Sequence, residues 1–398
     1  MSWDEIIIRI VLFMLIICIE MSLVMPVSAL QNEFPDKVMK VKEDKSIVYV
    51  STWFEGKVNI YDGDSEWISK DIITEYSITT GFHGSRSGHI FIPAHSIEYN
   101  EEEVKEMLLR EYIMSSKWFD AKLFENNTYL GYYWSEDAKQ YFNELKEKLG
   151  NKTLDIIDIE PVYTVFSPYT GKSHELREHD IKFKGNSTTA EDIVIIKIDV
   201  LDTPYVIFNK NFEYEEGTRL YIIHYAEYTL YDYVDEIVAE RLGRPSTYRE
   251  VLISARKKLF ADIKDRGADI ESGYLGSTTR PWGATTTYRF TGHTPSGSSG
   301  APVLDEEGHC VGMIVCGCEL SEGVIDPTSA YFIPYKYLEA ASKEAGFELL
   351  EDVPLIEKIA EKELDIIIAV VIAVVMGVVM DILIKKAKKA RVRRRKTK

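Results

Sequence analysis

Residues 366–384, IIIAVVIAVVMGVVMDILI, carry a single charge, Asp381, and are apolar on every face. A helix of about 20 such residues crosses a bilayer. In lipid, only an element that satisfies its own backbone hydrogen bonds is stable. A buried core helix is the alternative, but core helices are seldom apolar all round. The run is therefore read as a transmembrane helix over 365–384. Asp381 lies within a turn of the span's end, where it reaches the interface or Lys385. Residues 385–398 hold ten Lys and Arg and no acid. Such a tail marks the cytoplasmic side and contacts anionic membrane lipid. Ala369, Ala373 and Gly377 recur every four residues. That spacing lets two spans approach closely, so a homo-oligomer through this face is one expectation and ordinary span composition the other.

A second apolar run, residues 10–19, is too short to span and stops at Glu20. Pro26 and Val27-Ser28-Ala29 follow. Two readings are open: a signal peptide over 1–29 cleaved after Ala29, or an uncleaved anchor. Asp4 and Glu5 depart from the basic start of a signal peptide. Both readings place residues 30–364 outside the cytoplasm, giving a single-pass cell-membrane protein with its C-terminus inside. The triplets at Asn126, Asn151 and Asn186 are N-glycosylation acceptors, and all lie in that outer part.

The formal net charge is −17, and without the ten basic residues of the tail it is −27. A nucleic-acid binder needs a basic face, so no nucleic-acid partner is expected. Four cysteines in 398 residues exclude a disulfide-stapled scaffold.

Between the ends the pattern is mostly that of strands. Residues 46–54, 72–79, 89–92, 191–199, 220–225, 285–291, 311–315 and 330–333 are β-branched, alternating or continuously apolar. Helical spacing predicts helices over 101–116, with Val104, Met107, Leu108 and Tyr112 on one face, and over 136–149, 248–264 and 335–345. Ser246-Thr247 is a cap for the third of these. Residues 351–364 form a charged stalk. The fold class is all-β, a barrel or sandwich with helical insertions.

Three segments carry the chemistry. In Gly297-Ser298-Ser299-Gly300-Ala301-Pro302, a serine between glycines projects its hydroxyl from a tight loop whose N–H groups can hold an oxyanion. Alone, the segment reads equally as a plain hairpin connection. In Ile90-Phe91-Ile92-Pro93-Ala94-His95-Ser96, His95 sits just past a hydrophobic strand. A lone histidine there is ordinarily structural; His83 and His89 are its rivals, neither following a strand. Asp192 opens Asp192-Ile193-Val194-Ile195-Ile196-Lys197, where a carboxylate either accepts a hydrogen bond from an imidazole or caps the strand.

The order His95, Asp192, Ser299 and all three contexts resemble the trypsin/chymotrypsin-like serine proteases. Gly308-His309-Cys310-Val311-Gly312-Met313 and Tyr331-Phe332-Ile333-Pro334 are similar to the HtrA-like branch. The resemblance covers residues 45–345 and implies two six-stranded β-barrels with the site in the cleft between them. It implies that Ser299 attacks the scissile carbonyl, His95 moves the proton, and Asp192 fixes the imidazole tautomer. The N–H groups of Gly297 and Ser299 would form the oxyanion hole, with no metal and no cofactor. His293, Val315 and Gly317 fall at the substrate pocket by alignment with the family, without the acid that would indicate Arg/Lys preference.

There are departures from the family. Ser298 stands where digestive proteases have the Asp that pairs with a freed N-terminus. Ala301 replaces a glycine. Between His95 and Asp192 lie 96 residues, so an insertion is expected at about 100–185, helical in character and carrying the sequons. Residues 248–264 are a second insertion. A PDZ module is not expected between the protease domain (30–350) and the stalk. His309, Cys310, Cys316 and Cys318 crowd ten residues. A soft-metal cluster is disfavoured because a strand spreads them by about 3.3 Å per residue; a disulfide with a spare thiol and three reduced thiols remain open. Two functions follow: a membrane-anchored extracytoplasmic serine endopeptidase acting on proteins or peptides, or a protease-fold binding module at the cell surface with a weak or inactive site.

Overall fold

The computed structural model describes residues 34–62, 65–115, 140, 153–187, 191–226, 228, 230–241, 248–282, 285–321 and 324–350. The expected signal segment, stalk, span with Ala369, Ala373 and Gly377, and basic tail lie outside these residues. So do the acceptors Asn126 and Asn151, the Ser246-Thr247 cap, and the helix at 136–149 apart from the helical Gln140. The chain divides into units Met1–Leu350 and Glu351–Lys398, and the fold below is that of the first. Among the described residues no helix is long and apolar enough to cross a membrane.

Helix α1 (Asp36–Glu43) leads into strands β1 (Ile47–Asp62), β2 (Ser65–His83) and β3 (His89–Ile92). Helix α2 (Glu101–Ser115) precedes β4 (Thr153–Ser167), β5 (Lys172–Leu176), β6 (Ile181–Lys184) and β7 (Val194–Lys197). These strands form one antiparallel sheet in the order β5-β4-β1-β2-β3-β7-β6. β5 and β6 are joined by residues 177–180 alone, yet stand at opposite edges. The sheet must therefore curl until its edges meet. Leu176 and Ile181 accordingly pack on one interior core with Val48, Val50, Ile92, Val165 and Val194. The outer face buries Ile47, Tyr49, Trp53, Phe82 and Phe91. Burial on both faces explains why β1 lacks a polar alternation.

The β1–β2 hairpin is longer than the sequence pattern predicts, pairing from Ile47↔Phe82 out to Asp62↔Ser65 with two bulges. Its outer part is covered by α2, whose fully buried Val104 and Leu108 pack on Phe54, Val58, Ile72 and Ile156.

The second half closes into a six-stranded barrel, ordered β10-β13-β12-β11-β8-β9. Its strands are β8 (Arg219–His224), β9 (Asp269–Trp282), β10 (Thr285–Gly292), β11 (Pro302–Leu304), β12 (Cys310–Ser321) and β13 (Val324–Pro334). Leu220, Ile222, Leu275, Phe290, Val303 and Phe332 are among its filling. Helices α3 (Leu230–Arg241) and α4 (Tyr248–Arg266) form a hairpin between β8 and β9, and α5 (Tyr335–Glu344) follows β13. The helical hairpin reaches across to the first half. Phe260 stacks on Phe166 with ring centroids 4.7 Å apart. Arg256 lies over the Trp53 ring and pairs with Glu175 at 3.1 Å.

The architecture is thus mostly β, a curled seven-stranded sheet and a closed barrel, in line with the two-barrel expectation but with one strand more in the first half. The helical interval at 100–185 needs correction. Its second part supplies β4, β5 and β6 to the sheet. Exposed Asp155, Asp158 and Glu160 and buried Ile156 and Val162 share this stretch, whose pairing with β1 is interrupted by a bulge, so no clean alternation marks it as a strand.

Candidate active site

Strand register brings two of the predicted residues together. Ile92 at the end of β3 pairs with Val194 at the start of β7. His95 lies three residues past the first and Asp192 two residues before the second, at the same end of the pair. Pro93 lacks an N–H and cannot continue the ladder. The chain turns there into a 3-10 segment, Ala94–Ser96. The Ser96 carbonyl is pinned by the hydroxyls of Thr52 and Ser77, each at 2.7 Å. Asp192 is 1% exposed. Its Oδ2 accepts from His95 Nδ1 at 2.7 Å, and its Oδ1 accepts from the His95 backbone N–H at 2.8 Å. Both carboxylate oxygens are thereby used to orient one residue. With Nδ1 donating to Asp192, the imidazole keeps its lone pair on Nε2. The His95 side chain is 39% exposed, so that nitrogen belongs to a ring open to incoming groups.

The rival histidines are not available. His83 ends β2 and is fully buried, which pushes its pKa down to about 3. His89 stacks on Phe347 at 4.1 Å, and its Nδ1 meets the Ser85 and Ser87 hydroxyls.

Ser299 lies in the loop between β10 and β11. Gly297 and Gly300 hold φ of +93° and +83°, a region that favours glycine. A Cβ on Gly300 would also stand 1.9 Å from the Thr80 carbonyl oxygen and 2.8 Å from Pro93 Cδ. This absence of a side chain lets the residue after Ser299 sit against the segment that leads to His95. Within the loop, Ser298 N–H donates to Pro295 O, Gly300 N–H to Ile314 O and Ala301 N–H to Ser298 O. The N–H groups of Gly297 and Ser299 donate to no acceptor among the described residues. The two amides predicted for an oxyanion are thus among those that the loop leaves uncommitted. The Ser299 hydroxyl donates to Val315 O at 3.4 Å rather than to His95.

Two residues that sequence reasoning missed hold this loop. Thr80 N–H and the Thr79 hydroxyl both donate to Ser299 O, at 2.9 and 2.5 Å. The Thr80 hydroxyl donates to Gly297 O at 3.1 Å and accepts from Tyr225 N–H at 3.0 Å. A β-branched pair inside a strand carries no sequence signal for such a role.

Of the predicted pocket residues, two lie on β12 and one just past β10. Val315 is fully buried in the core with Met313, Ile333 and Leu338. It gives the site its carbonyl. Gly317 is half-buried in β12, and His293 is exposed just past β10. Cys310 is a fully buried free thiol that donates to Gly312 O, and burial pushes its pKa far up. Asn186, the acceptor within the described residues, is exposed, and the next residue, Ser187, donates to Glu98.

No protein-family model matches this sequence, and no curated protein matches it. Solved structures are similar in part. A serine endoprotease from Yersinia pestis is 12% identical at a TM-score of 0.40, over 78% of this chain and 65% of that one. A serine-to-alanine mutant of Rv3671c from M. tuberculosis H37Rv, in an inactive form, is 10% identical at 0.36, over 78% and 91%. The HtrA-type protease AlgW, solved with a decapeptide, is 10% identical at 0.40, over 76% and 64%. The chain therefore spans under two thirds of the length of the first and third. At this level of likeness, the chemistry of the site stands on its own geometry.

Proposed function

We propose that the chain is a serine endopeptidase. The observation that carries this reading is the buried carboxylate of Asp192, which holds both the ring and the backbone of His95. In this reading Nε2 of His95 takes the proton of Ser299 as Oγ attacks the scissile carbonyl. The tetrahedral oxyanion is held by the N–H groups of Gly297 and Ser299. His95 then returns the proton to the leaving amine, and water hydrolyses the acyl-enzyme by the same steps in reverse. Before attack, the Ser299 side chain must turn from Val315 O towards the imidazole. Asp192 keeps its proton count throughout and stabilises the imidazolium that forms between the two transfers. Proteins or peptides outside the cytoplasm are the substrates, and the span at 365–384 anchors the enzyme with its basic tail inside.

The hydroxyl of Ser299 resting on Val315 O favours a second reading, a latent or inactive protease fold that binds partners at the surface. Hydrolysis of an unfolded protein such as casein by the detergent-solubilised full chain, set beside Ser299→Ala, separates the two. Ser299-dependent peptide release supports the first; equal background release from both supports the second.

A further inference from the structure

The two halves of the candidate site belong to different bodies of the fold. His95 and Asp192 stand on the curled sheet, whereas Ser299 stands on the closed barrel. Attack needs Oγ and Nε2 brought to hydrogen-bond distance, so something must fix one body against the other at this point. The Thr79-Thr80 pair does so. It lies near the end of β2, the strand that pairs with β3 and so leads to His95. Four hydrogen bonds join this pair to the barrel side: three are donated to the carbonyls of Gly297 and Ser299, and one is accepted from the N–H of Tyr225. The Thr80 hydroxyl is fully buried and uses its donor on the nucleophile loop and a lone pair on the segment that follows β8. That segment is itself against the loop: a Cβ on Gly297 would stand 3.2 Å from Ala226 Cα.

We propose that Thr80 is a positioning residue that, through its hydroxyl, registers the Gly297–Ser299 loop of the barrel against the sheet carrying His95 and Asp192. The catalytic part of this proposal rests on the peptidase reading; the clamp itself does not. Thr80→Val keeps the shape but leaves Gly297 O and Tyr225 N–H without their partner, while Thr80→Ser keeps the hydroxyl. A nucleophile displaced by a fraction of an ångström loses rate, not affinity.

Two readouts on the full chain test it. In hydrolysis, Thr80→Val is expected to lower kcat about tenfold or more with KM nearly unchanged, and Thr80→Ser to restore it. In hydrogen exchange, the hydrogen-bonded amides of Ser298, Gly300 and Ala301 are expected to exchange about tenfold faster in Thr80→Val than in wild type, with the remaining strands unchanged. A purely structural role would lower the melting temperature without moving kcat per titrated site. Unchanged kcat in an active Thr80→Val enzyme overturns the positioning role while the peptidase reading stands. A wild type without Ser299-dependent hydrolysis overturns that reading and the catalytic role together. Unchanged exchange overturns the clamp in either case.

Discussion

Glu75 is a buried carboxyl at the seam between the sheet and the helical hairpin, and its protonation couples stability to pH. It lies opposite Trp53 in the β1–β2 pairing, is 7% exposed, and its Oε1 has no hydrogen-bond partner. The charged group that acts on it is Arg256 of α4, which is itself engaged by Glu175 and by Thr164 at 3.5 Å. Burial pushes the Glu75 pKa from 4.5 up to about 8, and Arg256 offsets only part of this. Between these two values the unfolded chain has released the proton and the folded chain retains it. Stability is therefore fully present below the unfolded pKa and is lost as pH rises towards 8. The loss is about 1.4 kcal/mol for each pH unit between the two, a few kcal/mol in all. Glu75→Gln keeps the shape and cannot ionise. Urea denaturation from about pH 5 to pH 8.5 should show Glu75→Gln pulling ahead of wild type as pH rises, with the two nearest at the acid end. Parallel profiles for the two proteins would refute the reasoning, since they would mean that Glu75 ionises in the fold as it does in water.

Other consequences concern the site itself. Asp192→Asn removes the charge that orients His95 but leaves the packing intact; kcat is expected to fall by about 10³–10⁴ with little change in KM, as measured on a peptide substrate. Gly300→Ala places a methyl 1.9 Å from Thr80 O at a φ of +83°. It should cost roughly 1–3 kcal/mol in denaturation and abolish hydrolysis, because the loop must move away from Pro93 to admit the methyl.

The parts of this protein legible in its sequence are those whose signal is local. His89–Ile92 is a strand at its expected bounds, and α2 and α4 end within two residues of their expected ends, because each carries its own periodicity. The His95–Asp192 pairing is expected only from the resemblance of the two segments to a known family; it is realised because each residue sits at a short offset from an apolar strand, and the two strands pair. What the sequence hid is held by distant partners. β5, Lys-Ser-His-Glu-Leu, has no strand propensity of its own and exists by pairing with β4. The outer β1–β2 hairpin depends on α2 for cover. α3 is rich in tyrosine and valine, so its sequence leans towards strand, and it is helical while packed against α4. Val315 could be aligned to a pocket, but which face of β12 it occupies is decided by the core. Thr79 and Thr80 act on carbonyls more than 200 residues away, and a backbone acceptor leaves no mark in a sequence.

The central claim is that Ser299 is a nucleophile served by His95. Fluorophosphonate labelling of the solubilised full chain, with the modified peptide mapped by mass spectrometry, tests it most directly. The account predicts one adduct, on Ser299, lost in Ser299→Ala and in His95→Ala. A folded wild type that takes no label, or takes it elsewhere than Ser299, would contradict it.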